Sequence, residues 1–156
     1  MTLALVVAFV ILLFVLGLVS YVERVCTERG KFLSREFEEN IEAFEQQVEP
    51  RLKMDRDRVA LSVAVLEQLT TAAIAMLVAF TVFRDDIWSA LEIAQAALAM
   101  VLIVVVFNRL LPFVLFSRTR GDWLSKFTLP LRLLLYLVFP VTLVIGFCIS
   151  VASLTK

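Results

Sequence analysis

Glu67 stands inside an apolar run that begins at Val59 and carries no other charge through Phe83. An ionisable group in hydrocarbon costs about 2.5–3.5 kcal/mol on insertion scales, so its presence needs a function or a partner. Eight residues past Val59 on a helix place it about 12 Å into the layer. Gln68, Thr70 and Thr71 follow it, and Thr71 shares its helix face four residues on. A carboxylate, an amide and two hydroxyls form an oxygen-rich patch of the kind that holds hard cations such as magnesium, calcium or sodium. The same groups equally serve as glue between membrane helices, with Glu67 protonated or hydrogen-bonded to a neighbour. Ser20, at the inner end of the first apolar run, and Asn108, at the inner end of the third, fall at comparable depths. Ser20, Glu67, Gln68, Thr71 and Asn108 are therefore the candidate cation site. Glu92 and Gln95, one turn apart in the third run, form either the outer mouth of a pathway or a pair whose carboxylate snorkels to the interface.

Other chemistries lack their residues. The chain of 156 residues has no histidine, which removes the commonest general base and metal ligand and the usual axial ligand of haem. Oxygen ligands are what is left for any ion, and no resident cofactor is expected. Cys26 and Cys148 are too few for a disulfide framework or a four-thiolate zinc site and read as small apolar fillers. There is no glycine-rich phosphate loop and no nucleophile elbow, so no catalytic residue is assigned and the chain does not read as an enzyme. Its basic residues alternate with acids and lack an aromatic platform, which excludes a nucleic-acid surface.

The elements that must position these residues are membrane helices. The composition is 61% hydrophobic against about 45–50% in soluble domains, so lipid is part of the solvent. Residues 2–22 are uncharged and long enough to span; a cleavable leader is the rival, but its basic n-region is missing and the apolar stretch is too long. Residues 59–83 and 87–108 form the second and third runs, joined by the polar turn Arg84-Asp85-Asp86 into an antiparallel hairpin, with Trp88 suited to the headgroup layer. Residues 109–132 are a basic, irregular stretch, and 133–154 a fourth run that either spans or lies at the inner surface. The expected fold is all-α and polytopic, with three or four spanning helices. Basic loops are retained in the cytoplasm, which places 23–58 and 109–132 inside, the amino terminus outside, and the protein in the cell's inner membrane.

Between Glu23 and Arg58 eight basic and ten acidic residues form a solvated connector. Leu33, Phe37, Ile41, Phe44, Val48 and Leu52 recur at spacings of three and four, which makes one apolar stripe of a helix. The remaining faces are rich in glutamate, and lipid-binding surface helices are basic there. The stripe is expected to pack on protein, either a second copy or the last helix, with Pro50 marking the end of the element.

The arrangement resembles the transmembrane (CNNM) domain of the cyclin M/CorC magnesium-transporter family. Val105-Val106-Phe107-Asn108-Arg109-Leu110-Leu111-Pro112-Phe113 is similar to that family's Val-x-Phe-Gly-Glu-x-x-Pro-Lys signature. Pro130-Leu131-Arg132-Leu133-Leu134 and Tyr136 to Pro140 are similar to its later Pro-Leu-Arg-Leu-Leu and Tyr-Pro segment, and Glu23 aligns with the glutamate of its Ala-Ala-Glu motif. The resemblance covers nearly the whole chain and implies a dimeric domain that transports magnesium, or magnesium coupled to sodium. The departures are as specific as the matches. Asn108-Arg109 replaces Gly-Glu, Phe113 replaces the lysine, Glu67-Gln68 stands where a Gly-Asn pair is expected, and a copy lacking the family's nucleotide-binding CBS pair is expected. A guanidinium at contact distance opposes a cation. The alternative is therefore a non-transporting accessory or scaffold subunit, partnered with an intact paralogue or a larger membrane complex, as homodimer or heteromer.

Overall fold

The computed structural model describes residues 2–28, 38–82, 89–119 and 121–154, and every regular element among them is helical. Helix α1 spans Thr2–Glu28, α2 Glu38–Ala43, α3 Glu49–Leu52, α4 Arg56–Val82, α5 Ala90–Ile103, α6 Leu111–Arg118 and α7 Thr128–Leu154. Four continuous helical stretches are long and apolar enough to cross a bilayer: Leu3–Glu28, Arg56–Val82, Ala90–Arg118 and Asp122–Ala152. The protein is an all-α polytopic membrane protein in contact with lipid. The Arg84-Asp85-Asp86 turn and Trp88 lie outside the described residues, as do Leu33 and Phe37.

Several boundaries differ from those read in the sequence, and two prolines account for most of it. Proline lacks an N–H and its ring clashes with the carbonyl four residues back. Around Pro50 that carbonyl belongs to Gln46, inside a π-helical turn over Phe44–Val48; around Pro112 it belongs to Asn108, inside another over Val104–Leu110. The wider turns relieve the clash, so neither proline ends its helix. The connector continues to Leu52, and the third helix continues through the segment expected to be irregular as far as Arg118. A 3₁₀ turn over Asp122–Phe127 then leads into α7, and Pro140 sits within that helix. Helix α1 likewise passes its uncharged segment and ends at Glu28.

One core joins the membrane helices to the connector. Tyr21, Val22 and Val25 of α1, Val59 and Val63 of α4, Phe116 of α6, and Leu131 and Leu135 of α7 pack with Phe44, Val48 and Leu52. The described part of the connector's stripe is thus consumed within the chain, against α1, α7 and the 3₁₀ turn, and does not form a free face for a second copy. Helix α4 buries Val59, Ser62, Val63, Leu66, Thr70 and Ile74 at three- and four-residue spacing. The Ser62 hydroxyl, donating to Thr142 Oγ1 at 3.3 Å, links it to α7. Gly17 lets α1 approach α6, since a Cβ there would lie 2.9 Å from Leu111 Cδ2. None of the residues of α5 is buried, so lipid or another protein covers it.

Lys53 closes the connector in the left-handed region at φ 54°, ψ 37°. That conformation costs an L-residue about 1–2 kcal/mol and glycine nothing, although glycine loses more chain entropy on folding. Lys53→Gly is expected to stabilise the protein by about 0.5–1 kcal/mol, read as a higher denaturation midpoint in micelles. An unchanged or lowered midpoint would contradict this account of the turn.

Candidate functional site

Ser20 and Glu67 meet: the Ser20 hydroxyl donates to Glu67 Oε1 at 2.8 Å across α1 and α4. The contact fixes the relative height of the two helices and corrects the depth read from the sequence. Ser20 is three residues, about 4.5 Å, from Glu23, the first charge on α1. Glu67 therefore sits about one turn from charged residues rather than 12 Å into hydrocarbon. The reason is the core contact described above: Val59 and Val63 pack beside Val22 and Val25, so the first turns of α4 run alongside the polar end of α1. The carboxylate is half-buried, and Glu23 and Arg109 are among the charged groups in its neighbourhood.

The other candidate residues divide. Thr71 is half-buried on the Glu67 face, but its hydroxyl donates to the Glu67 carbonyl at 2.9 Å. Thr70 is buried and donates likewise to Leu66 O at 2.7 Å. Gln68 is exposed and turned away from the Ser20–Glu67 pair. Asn108 lies in the π-helical turn that packs on α1, and its Oδ1 is buried without a hydrogen-bond partner. The structure thus joins Ser20 to Glu67 directly, keeps Thr71 on the same face, and leaves Gln68 outside. Among the described residues no three Cys, Asp or Glu side chains converge into a metal-holding group. A cation here would be held by the Glu67 carboxylate with the Ser20 hydroxyl beside it, retaining much of its own water.

Glu92 has a capping role that neither sequence reading named. Helix α5 begins at Ala90, so Glu92 falls in its first turn and forms a capping box with Ser89. The Ser89 N–H donates to Glu92 Oε2 at 3.0 Å, and the Glu92 N–H to Ser89 Oγ at 3.2 Å. It satisfies a helix end, and Gln95 is exposed on the following turn.

Two further clusters were not legible as sites. The Tyr21 hydroxyl donates to Asn40 Oδ1 at 2.9 Å, and Asn40 Nδ2 to the Phe116 carbonyl at 2.8 Å, which ties the connector to α1 and α6. The signal existed, because Asn40 is four residues before Phe44 and so falls on the apolar stripe. At the water side a cleft of about 600 Å³ includes Glu45, Glu49, Lys53, Arg56 and Arg58. Arg56 is committed there to Glu49 at 2.8 Å and Glu45 at 3.6 Å, and Arg58 to Asp55 at 3.7 Å. Comparison with protein families, curated proteins and solved structures gives no match to the chain.

Proposed function

We propose that the chain is a CorC/cyclin M-like membrane domain of the magnesium-transport type, taking up a partly hydrated Mg²⁺, or Na⁺, at Glu67. The observation that carries this reading is the Ser20–Glu67 pair, set one helical turn from the charged end of α1. Magnesium sheds water reluctantly and is commonly bound through only one or two carboxylates, so a single carboxylate with a hydroxyl beside it is a sufficient first contact. The unpartnered Asn108 Oδ1 supplies a further oxygen on the π-helical turn, a feature frequent at functional sites. The basic segments, with the membrane ends they adjoin, face the cytoplasm of the inner membrane, and with four spans both termini lie outside. Gln68 and Gln95 are exposed amides on spanning helices, which favours a second copy or a related membrane protein over lipid as their neighbour.

Arg109 favours the second reading, an accessory subunit without transport. Its guanidinium acts on Glu67 and competes with any cation for that carboxylate. Magnesium flux into proteoliposomes separates the two. Transport by the unaltered chain, reduced at least tenfold in Glu67→Gln, is the expected result. Absence of flux from a folded, correctly inserted chain would overturn it in favour of the accessory role. A reporter fused after Lys156 is expected to be found outside the cell, and a cytoplasmic signal would overturn the assigned topology.

A further inference from the structure

A groove of about 430 Å³ lies between α1 and α6, lined by Leu13, Gly17, Leu111, Leu115, Thr119 and Trp123 among others. Apart from Thr119 its lining is apolar, and that hydroxyl is satisfied, donating to Leu115 O at 2.7 Å and accepting from Trp123 Nε1 at 3.2 Å. Two properties identify what fills it. The first is length. Along its longer wall the lining runs from Phe107 through Leu111 and Leu115 to Thr119, a helical rise of about 18 Å, enough to cross the roughly 15 Å of one half of a bilayer's hydrocarbon layer. The groove therefore runs from the bilayer midplane to the headgroup layer, as an extended acyl chain does.

The second property is charge at the water end. Arg118 directly precedes Thr119. In the 3₁₀ turn, with three residues per turn, Lys126 shares the face of Trp123. Both basic side chains are exposed. Asp122, the acid on this rim, accepts a hydrogen bond from Gln47 Nε2 at 3.2 Å and so is drawn toward the connector. Trp123 is held in place by Tyr21 and Phe127, at ring separations of 5.0 and 6.0 Å, and presents an amphipathic ring at the boundary. An apolar slot one leaflet deep, ending at an indole and two cations, matches one ligand class.

We propose that this groove binds an anionic glycerophospholipid, with one acyl chain between α1 and α6 and the headgroup phosphate against Arg118 and Lys126. The site is independent of ion transport and of Glu67. It is tested on the full chain carrying Trp88→Phe, which leaves Trp123 as the single indole. The protein is placed in phosphatidylcholine vesicles containing dibrominated phosphatidylglycerol or, in parallel, dibrominated phosphatidylcholine. Bromine on the acyl chain quenches a nearby indole, so quenching of Trp123 reports occupancy of the groove. The expected result is an apparent affinity for phosphatidylglycerol higher than for phosphatidylcholine by about fivefold for each of the two charges. The preference should vanish in Arg118→Gln/Lys126→Gln with helicity unchanged. Equal quenching by the two lipids, a preference that survives the double substitution, or competition by free glycerol phosphate would each overturn the proposal. Shielding of Trp123 from both lipids, as a covering protein helix would produce, would overturn it as well.

Discussion

Asn40→Leu is expected to lower the unfolding free energy by about 2–4 kcal/mol, read as a shifted denaturation midpoint in micelles. Asn40 is 5% exposed and bridges three elements, accepting from the Tyr21 hydroxyl and donating to the Phe116 carbonyl. Leucine has the same branched outline with bulkier ends, and neither function. Removing one partner of a buried polar pair costs about 1–3 kcal/mol for each group affected. Gly121 offers a second route to the same junction. It has φ +76°, and a Cβ added there would approach Asn40 Oδ1 to 3.1 Å and both Asn40 Cα and the Tyr21 hydroxyl oxygen to 3.3 Å. Gly121→Val combines backbone strain of about 1–3 kcal/mol with that crowding, and it should match Asn40→Leu in direction. Because both act through one junction, the double variant should cost less than the sum of the singles. Full additivity would show that the two residues do not share it.

Phe44→Ala is expected to cost about 3–5 kcal/mol and to open the connector. Phe44 is 2% exposed and packs with Tyr21, Leu52 and Leu135 in the layer that faces water. There the lost burial is paid against water, whereas inside the bilayer lipid tails replace some of the missing contacts. Ile74→Ala, within the spanning part of α4 and equally buried, should therefore cost less. The readout is trypsin: cleavage at Arg51, Lys53 and Arg56 should accelerate in Phe44→Ala and stay slow in Ile74→Ala. Unchanged cleavage in Phe44→Ala would mean that the connector is held by something other than this core.

The spanning helices were legible because lipid imposes a coarse rule, namely long apolar runs with their charges at the ends. Residues 2–22 and 59–83 satisfied it without reference to any partner. The connector's stripe was legible for the same reason that an amphipathic helix is, but its partner was not. Periodicity fixes which face is apolar and is silent about what covers it, and here Phe44, Val48 and Leu52 found α1 and α7 of their own chain. The depth of Glu67 was misjudged because counting from Val59 assumes that apolar residues begin at the hydrocarbon boundary. Val59 and Val63 are apolar because they pack on Val22 and Val25, a protein surface at the membrane's edge. The capping role of Glu92 was not legible, since capping is decided by where α5 starts, at Ala90. Gln68 and Thr71 follow Glu67 in sequence, yet the helix puts one outside and uses the other's hydroxyl on its own backbone.

The two π-helical turns have a consequence for phase. Each residue of an α-helix advances the face by about 100°, so one residue accommodated in a wide turn rotates everything beyond it by that amount. The turn over Val104–Leu110 separates α5, none of which is buried, from α6, which buries Pro112 and Phe116. Closing that turn to α with every residue kept would leave composition and hydropathy untouched while turning Phe116 away from Tyr21 and toward lipid, whereas deleting one residue in Val104–Leu110 lets the turn close and keeps Phe116 in place. Within this stretch the reading frame of the helix, more than the character of its residues, decides which side chains belong to the core.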